Sequence, residues 1–359
     1  MRGLREPSPK LNNALYFLAG VLTVVLVFVI VVGVQTMAQG TRQDYAAGAP
    51  ETDGQGQDAP MQTTPVEEPE EAPEKWQEGV IEYKGGQYRY NSNIRTYLIM
   101  GIDKDEPVSE APDFVSGGQS DAMFLLVVDS ANEKLSVISI NRNTMTDIEM
   151  YDESGNFISE VQAQICLQHA FGDGRKLSCS RTTDVVAKLF GNIPISGYVA
   201  MNMGGIPMMN DAVGGVEVTV LQDVIYPNKG VDLREGEIVN LGGEEAYCYL
   251  RGRDVTEYDS ASDRLRREEQ YIVNYMAKLK AVAGGNSAMV VGVYNSVSDY
   301  LVTSVDFTDL VTELMDYDFS EDQMYTVPGE TVMGDQYEEY YVDEDALLNL
   351  IMEVFYVPV

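Results

Sequence analysis

Five arginines, Arg251, Arg253, Arg264, Arg266 and Arg267, crowd one short stretch (RGRDVTEYDSASDRLRR) of a chain whose net charge is −33. A guanidinium is always charged, and its planar fork matches the paired oxygens of phosphate or carboxylate. Such a cluster in an acidic chain implies either an anion to be held or a surface network with the interleaved Asp254, Glu257, Asp259 and Asp263. Upstream, Asp103 ends one apolar run, Asp121 precedes a second, and Arg142 closes a third. If these runs are strands going up, down and up, the three groups meet at one sheet edge. Two carboxylates there can hold a hard cation such as Mg²⁺, which takes one or two carboxylates with water and substrate phosphate. Asp at a strand end is also a common turn residue.

The elements that must position these groups follow from hydrophobic patterning. The runs at 96–102, 122–128 and 135–140 are predicted strands, the last two joined by the turn-like DSANEK. Helical patterns fall at 160–171, 178–190, 204–213 and 243–251, and from about 262 to 282; the tail adds helices at 307–317 and 343–355 and a short strand at 323–327. Strands interspersed with helices indicate an α/β or α+β layered domain. Arg251 and Arg253 follow a helix, and in extended chain residues two apart point the same way. Arg264 and Arg267 share one helical face with Glu268, whereas Arg266 points elsewhere. The free N–H groups of a helix N-terminus would reinforce an anion site there. His169, the single histidine, has no second histidine or nucleophile beside it and reads as a packing or capping residue. Met201, Met203, Met208 and Met209 suit a core or, being soft, a lipid-binding wall.

Ahead of this domain, residues 14–34 carry no charge and are long enough to span a bilayer core. Arg2, Arg5 and Lys10 precede them, and the positive-inside rule predicts a cytoplasmic tail at 1–13 and everything after 34 outside the cell. Residues 35–92, rich in Pro, Gly, Gln and Glu, read as an extended acidic linker, and 93–359 as the globular domain. The negative charge argues against nucleic acid as a ligand. Cys166 and Cys179 can pair in an exported chain, leaving Cys248 odd, or all three are small buried hydrophobes. No Walker, Rossmann, G-x-S-x-G or H-E-x-x-H pattern is present.

Several segments together resemble the LytR-CpsA-Psr proteins of cell-wall assembly in Gram-positive bacteria. LIMGIDKD is similar to the family's first Asp motif, QSDAMFLLVVD to its R-S-D-T segment, and LSVISINRNTM to its S-I-P-R-D-T segment. AVGGVEVTV, LGGEEAYCYLRGR and DRLRREEQ follow in the family's order. The resemblance implies a layered α-β-α domain with a central mixed sheet and an apolar interior that admits a prenyl tail. It implies a membrane-anchored phosphotransferase moving a glycopolymer from a polyprenyl-pyrophosphate carrier to peptidoglycan. Carried onto this sequence, Asp103 and Asp121 would hold Mg²⁺, while Arg142, Arg251, Arg253 and Arg264 would contact the pyrophosphate, with Arg267 in support. Three positions depart from the family pattern: Gln119 stands where Arg is frequent, Asn143 where Asp is usual, and Glu268 where Gln is usual. A polyprenyl-pyrophosphate hydrolase and a non-catalytic module that binds wall polyanions are the competing readings.

Overall fold

The structure is a computed structural model and describes residues 79–253, 258–284, 286–334 and 337–359. The predicted membrane span and most of the predicted linker lie outside these residues. No helix among the described residues is long and apolar enough to cross a membrane.

In chain order the first strands are β1 (Val80–Tyr83), β2 (Gly86–Tyr90), β3 (Ile94–Ile102), β4 (Ser120–Asp129), β5 (Lys134–Ile140), β6 (Met145–Tyr151), β7 (Phe157–Gln164) and β8 (Gly197–Asn202). Short strands β9 (Val216–Thr219), β10 (Val224–Tyr226), β11 (Val231–Leu233) and β12 (Ile238–Leu241) follow. The last are β13 (Leu301–Thr303), β14 (Met324–Thr326), β15 (Gly329–Met333), β16 (Glu338–Val342) and β17 (Tyr356–Pro358). The helices are α1 (Lys176–Leu189), α2 (Ile206–Ala212), α3 (Gly243–Arg251), α4 (Ser260–Ala283), α5 (Ser287–Val297), α6 (Phe307–Leu314) and α7 (Glu344–Phe355).

The central sheet runs β13-β8-β3-β4-β5-β14 and is mixed. β3, β4 and β5 are antiparallel neighbours, whereas β8 joins β3 and β14 joins β5 in parallel. Alternation along the strands splits their side chains between two cores, because successive residues point to opposite faces. Leu98, Met100, Met123, Leu125, Ile138 and Ile140 pack with residues of α1 and α7 on one face. Tyr97, Phe124, Leu126, Leu135, Val137 and Val199 meet α4 and α6 on the other. The result is the expected helix–sheet–helix layering. A third core joins α2 and α3 to β9–β12.

Two expectations are corrected. Residues 80–90, assigned to the linker, form the β1–β2 hairpin, whose second strand pairs with β17. Residues 160–164, read as the start of a helix, belong instead to β7, which pairs with β6, and only a short 3₁₀ segment, Ile165–Ala170, follows. Ile158, Val161 and Ile165 stand at helical spacing, but cross-strand pairing decides the outcome. Of the two readings of the cysteines the structure takes the second: Cys166, Cys179 and Cys248 are buried free thiols.

Candidate active site

The up-down-up order of β3, β4 and β5 brings Asp103, Asp121 and Arg142 to one sheet edge. β3 ends at Ile102 opposite Ser120, and β5 ends at Ile140 opposite Met123. The loop back to β4 is closed by a reciprocal pair: the Asp103 N–H donates to the Gln119 carbonyl at 3.0 Å, and Gln119 N–H donates to Asp103 Oδ1 at 2.6 Å. Gly118 makes this turn at φ +85°, and a Cβ there would sit 3.1 Å from Asp103 Oδ1. Its carbonyl lies 3.0 Å from His169 Nδ1. Burial pushes the imidazole down to about 4, so it is neutral, and its Nδ1–H donates to that carbonyl. His169 is the packing residue the sequence implied, and it holds the turn that carries Asp103.

Asp121 is gripped from two sides. Arg142 Nη2 is 2.9 Å from its Oδ1 and Arg264 Nη1 is 3.0 Å from its Oδ2, while Arg264 Nη2 donates to its backbone carbonyl at 2.7 Å. Arg142 also bonds the Gln119 side-chain carbonyl and lies 3.2 Å from Cys166 Sγ. Gln119 therefore anchors Arg142 where a second guanidinium would repel it. Burial pushes the Cys166 thiol up to about 11, which keeps it a neutral neighbour.

Arg253 enters the same region half-buried. Its guanidinium is destabilised by burial and by the charges of Arg142 and Arg264, which together lower its pKa. Its Nε and Nη1 are buried without a hydrogen-bond partner, as is Nε of Arg142. Buried charged donors left unmatched are costly, so these guanidiniums leave N–H groups that a bound anion would satisfy.

The other arginines are placed differently. Arg251 is the last residue of α3 and turns to Asp105 at 3.1 Å and to the Tyr247 hydroxyl. The expectation that it points with Arg253 fails because α3 runs through Arg251. Arg267 is fully buried and donates through Nε to the Tyr249 carbonyl at 2.8 Å and through Nη2 to the Gly252 carbonyl. It fastens the end of α3 rather than facing the anion hole. Arg266 is exposed and pairs with Asp263, as the helical phase requires. Asn143 is buried, accepting from Gln164 Nε2 at 3.1 Å and donating to Glu338 Oε2 at 3.4 Å. A carboxylate at 143 would face the carboxylate of Glu338, a buried residue that no sequence signal had marked.

Glu268 links this edge to the interior. It lies 3.3 Å from Arg264 Nε, an ion-pair contact without hydrogen-bond geometry. Burial raises its pKa to about 7, outweighing the opposing pull of Arg264. Among the described residues it is also the single charged group in the wall of an apolar cavity of about 280 Å³ between the sheet and α4, α5 and α6. Gly101 and Ala122, paired in register next to Asp103 and Asp121, form the small-residue end of that wall. Met201, Met203, Met209 and Met276 line the interior, whereas Met208 is not part of the lining. At about 24 cal/mol per Å³, a closed and empty space of about 280 Å³ would cost on the order of 7 kcal/mol. That is comparable to the whole stability of a domain.

The LytR_cpsA_psr family model matches residues 61–354. The polyisoprenyl-teichoic acid–peptidoglycan teichoic acid transferase TagU of Enterococcus faecalis is 27% identical over 268 residues, 74% of this chain and 80% of the relative. The TagU of Halalkalibacterium halodurans is 32% identical over 173 residues, 48% of each chain. The crystal structure of B. subtilis TagV aligns with a TM-score of 0.57 at 20% identity, covering 74% of this chain and 96% of that one. A Streptococcus agalactiae protein aligns with a TM-score of 0.56 at 20% identity, covering 73% and 87%. These structural likenesses concern the fold.

Proposed function

The chain belongs to the LytR_cpsA_psr family, and we propose that it transfers a glycopolymer from a polyprenyl-pyrophosphate carrier to a peptidoglycan hydroxyl, anchored to the membrane by residues 14–34 with its domain outside the cell. The observation that carries this reading is the set of unmatched buried N–H groups on Arg253 and Arg142, placed beside Arg264 and next to an apolar cavity. A pyrophosphate esterified to an isoprenoid has both halves of that complement. The curated relatives, named as teichoic acid transferases acting on peptidoglycan, support the same donor and acceptor classes.

In the proposed reaction the acceptor oxygen bonds the phosphorus that carries the glycopolymer, the phosphoanhydride bond breaks, and polyprenyl phosphate leaves. Phosphoryl transfer needs positioning and charge neutralisation more than covalent help. Arg142, Arg253 and Arg264 supply both. Asp121 sets the first and last of these in place and stands ready to yield them to phosphate. The hydroxyl proton goes to Asp103, whose carboxyl is raised above the usual range first by burial and further by Asp121. Both oxygens of Asp121 already face arginines.

No group of three or more metal-ligating side chains occurs among the described residues. Two carboxylates at one edge nevertheless fit Mg²⁺, which keeps waters and relies on substrate phosphate for its remaining ligands. Asp103 would hold it, joined by Asp121 once that carboxylate has yielded its arginines to phosphate, and it would add charge neutralisation at the pyrophosphate.

The test is to incubate the purified chain with a lipid-linked pyrophosphate glycan, with and without peptidoglycan. Glycan attached to the wall supports transfer. Free phosphorylated glycan with none on the wall makes the protein a hydrolase, and no turnover with intact lipid binding makes it a binding module.

A further inference from the structure

A second cavity of about 500 Å³ lies against a different stripe of α4. Glu268, Tyr271, Ile272 and Tyr275 face the apolar cavity, whereas Ser262, Leu265, Arg266 and Glu269 face this groove. Each set repeats at three- and four-residue spacing, and the two stripes lie about a third of a turn apart at 100° per residue. One helix is thus the wall between an apolar space and a polar one. The groove reaches the catalytic edge at Asn141, the residue before Arg142.

Its chemistry differs from that of the anion hole. Asp259, Glu269 and Glu330 supply carboxylates, and the single cation among the described residues of the lining, Arg266, is already paired with Asp263. A polar chain runs inward from the rim: Thr331 Oγ1 donates to Asp259 Oδ1, Ser262 Oγ donates to the same oxygen at 2.6 Å, and Asn141 Nδ2 donates to Ser262 Oγ at 3.1 Å. Tyr258 stands at the groove 63% exposed, its hydroxyl tied to the Thr331 carbonyl, so its ring is held outward. An anionic polymer is repelled by such a lining. A neutral sugar is not: carboxylates accept from its hydroxyls, and an aromatic face packs against its C–H surface.

We propose that this groove is the acceptor site, holding an uncharged, hydroxyl-rich glycan strand stacked on Tyr258 and hydrogen-bonded by Glu269 and Glu330, with one hydroxyl delivered past Asn141 to the arginine edge. The assignment rests on the transfer reading and adds to it the place and chemistry of the second substrate. Donor lipid and acceptor sugar then approach along different stripes of one helix, and each is excluded from the other's space by polarity.

The full chain is titrated with a soluble β-1,4-linked N-acetylglucosamine tetramer, and separately with polyprenyl pyrophosphate. Tyr258→Ala and Glu330→Gln are each expected to weaken tetramer binding about threefold to tenfold and to leave the lipid affinity unchanged. Equal tetramer binding by wild type and both variants overturns the proposal, as does no tetramer binding, or displacement of the tetramer by teichoic acid at matched concentration. Loss of lipid binding in the wild type would sink the transfer reading instead, and the tetramer titration would still decide the groove.

Discussion

Arg253 and Arg267 come from the same cluster and are both withdrawn from water, yet they do opposite things. Arg267 is enclosed at the end of α3 and spends its fork on the carbonyls of Tyr249 and Gly252. Arg253 lies beside Arg142 and Arg264 with two donors unmatched. The contrast teaches that burial of an arginine does not mark a site. What marks it is the company a buried guanidinium keeps: Arg267 leaves only Nη1 unmatched and spends Nε and Nη2 on architecture, whereas Arg253 leaves Nε and Nη1 unmatched beside two further guanidiniums.

The largest expected effect is on the architectural side. Arg267→Ala is expected to lower stability by about 3–5 kcal/mol, since two carbonyls lose their donor and the end of α3 loses its fastening. The check is the denaturant midpoint, and Arg267→Lys should not restore it, because an ammonium has no fork. A midpoint left in place would erase the distinction.

On the other side, Arg253→Ala is expected to reduce transfer about 10²–10³-fold, the usual loss for one donor to a developing charge. Its folding stability should be unchanged or slightly higher, because a costly guanidinium is removed. Arg142→Ala should lose similar activity. Retained transfer in either purified variant contradicts the site.

Glu268 sharpens the comparison through pH. Its folded pKa is raised to about 7 by burial, above its value in the unfolded chain. The folded state therefore holds the extra proton, and the stability this gives is present at acid pH and lost as pH rises through about 7. Glu268→Gln should flatten that loss, about 2 kcal/mol between pH 5 and 8, read by urea midpoints at both pH values. A wild-type curve that rises with pH refutes the assignment.

The smallest effect is expected at Arg251. Its exposed pairing with Asp105 should contribute less than about 1 kcal/mol, so Arg251→Ala should change the midpoint little. If it instead abolishes lipid-pyrophosphate binding, Arg251 rejoins the anion site and the division drawn here moves by one residue.

Much of this site could be read before the fold. The three apolar runs carry their alternation locally, so Asp103, Asp121 and Arg142 could be assigned to one edge from sequence order alone. The phase of α4 likewise separated Arg266 from Arg264. What escaped depends on distant partners. Arg251 was misdirected because Asp105, which draws it, lies far off in the sequence. Glu338 became a buried partner of Asn143 only once β16 was in place. α5, a run of valines with a central glycine, opposes its own propensity and is capped by Asn286, whose side chain accepts from the Ala288 N–H. The β1–β2 hairpin looked like linker because its reason for existing is β17.

That last pairing has a mechanical meaning. β2 hydrogen-bonds to β17, the Asn91 N–H donates to the Phe355 carbonyl at 2.8 Å, and the Val359 N–H donates to the Gln87 carbonyl at 3.0 Å. The strand through which the chain enters the domain is thus latched by the strand that follows α7, far along the sequence. Before β17 pairs, both edges of the hairpin are open. Afterwards, any pull arriving from the residues before Val80 is borne first by this three-stranded clasp rather than by the sheet that carries the arginines.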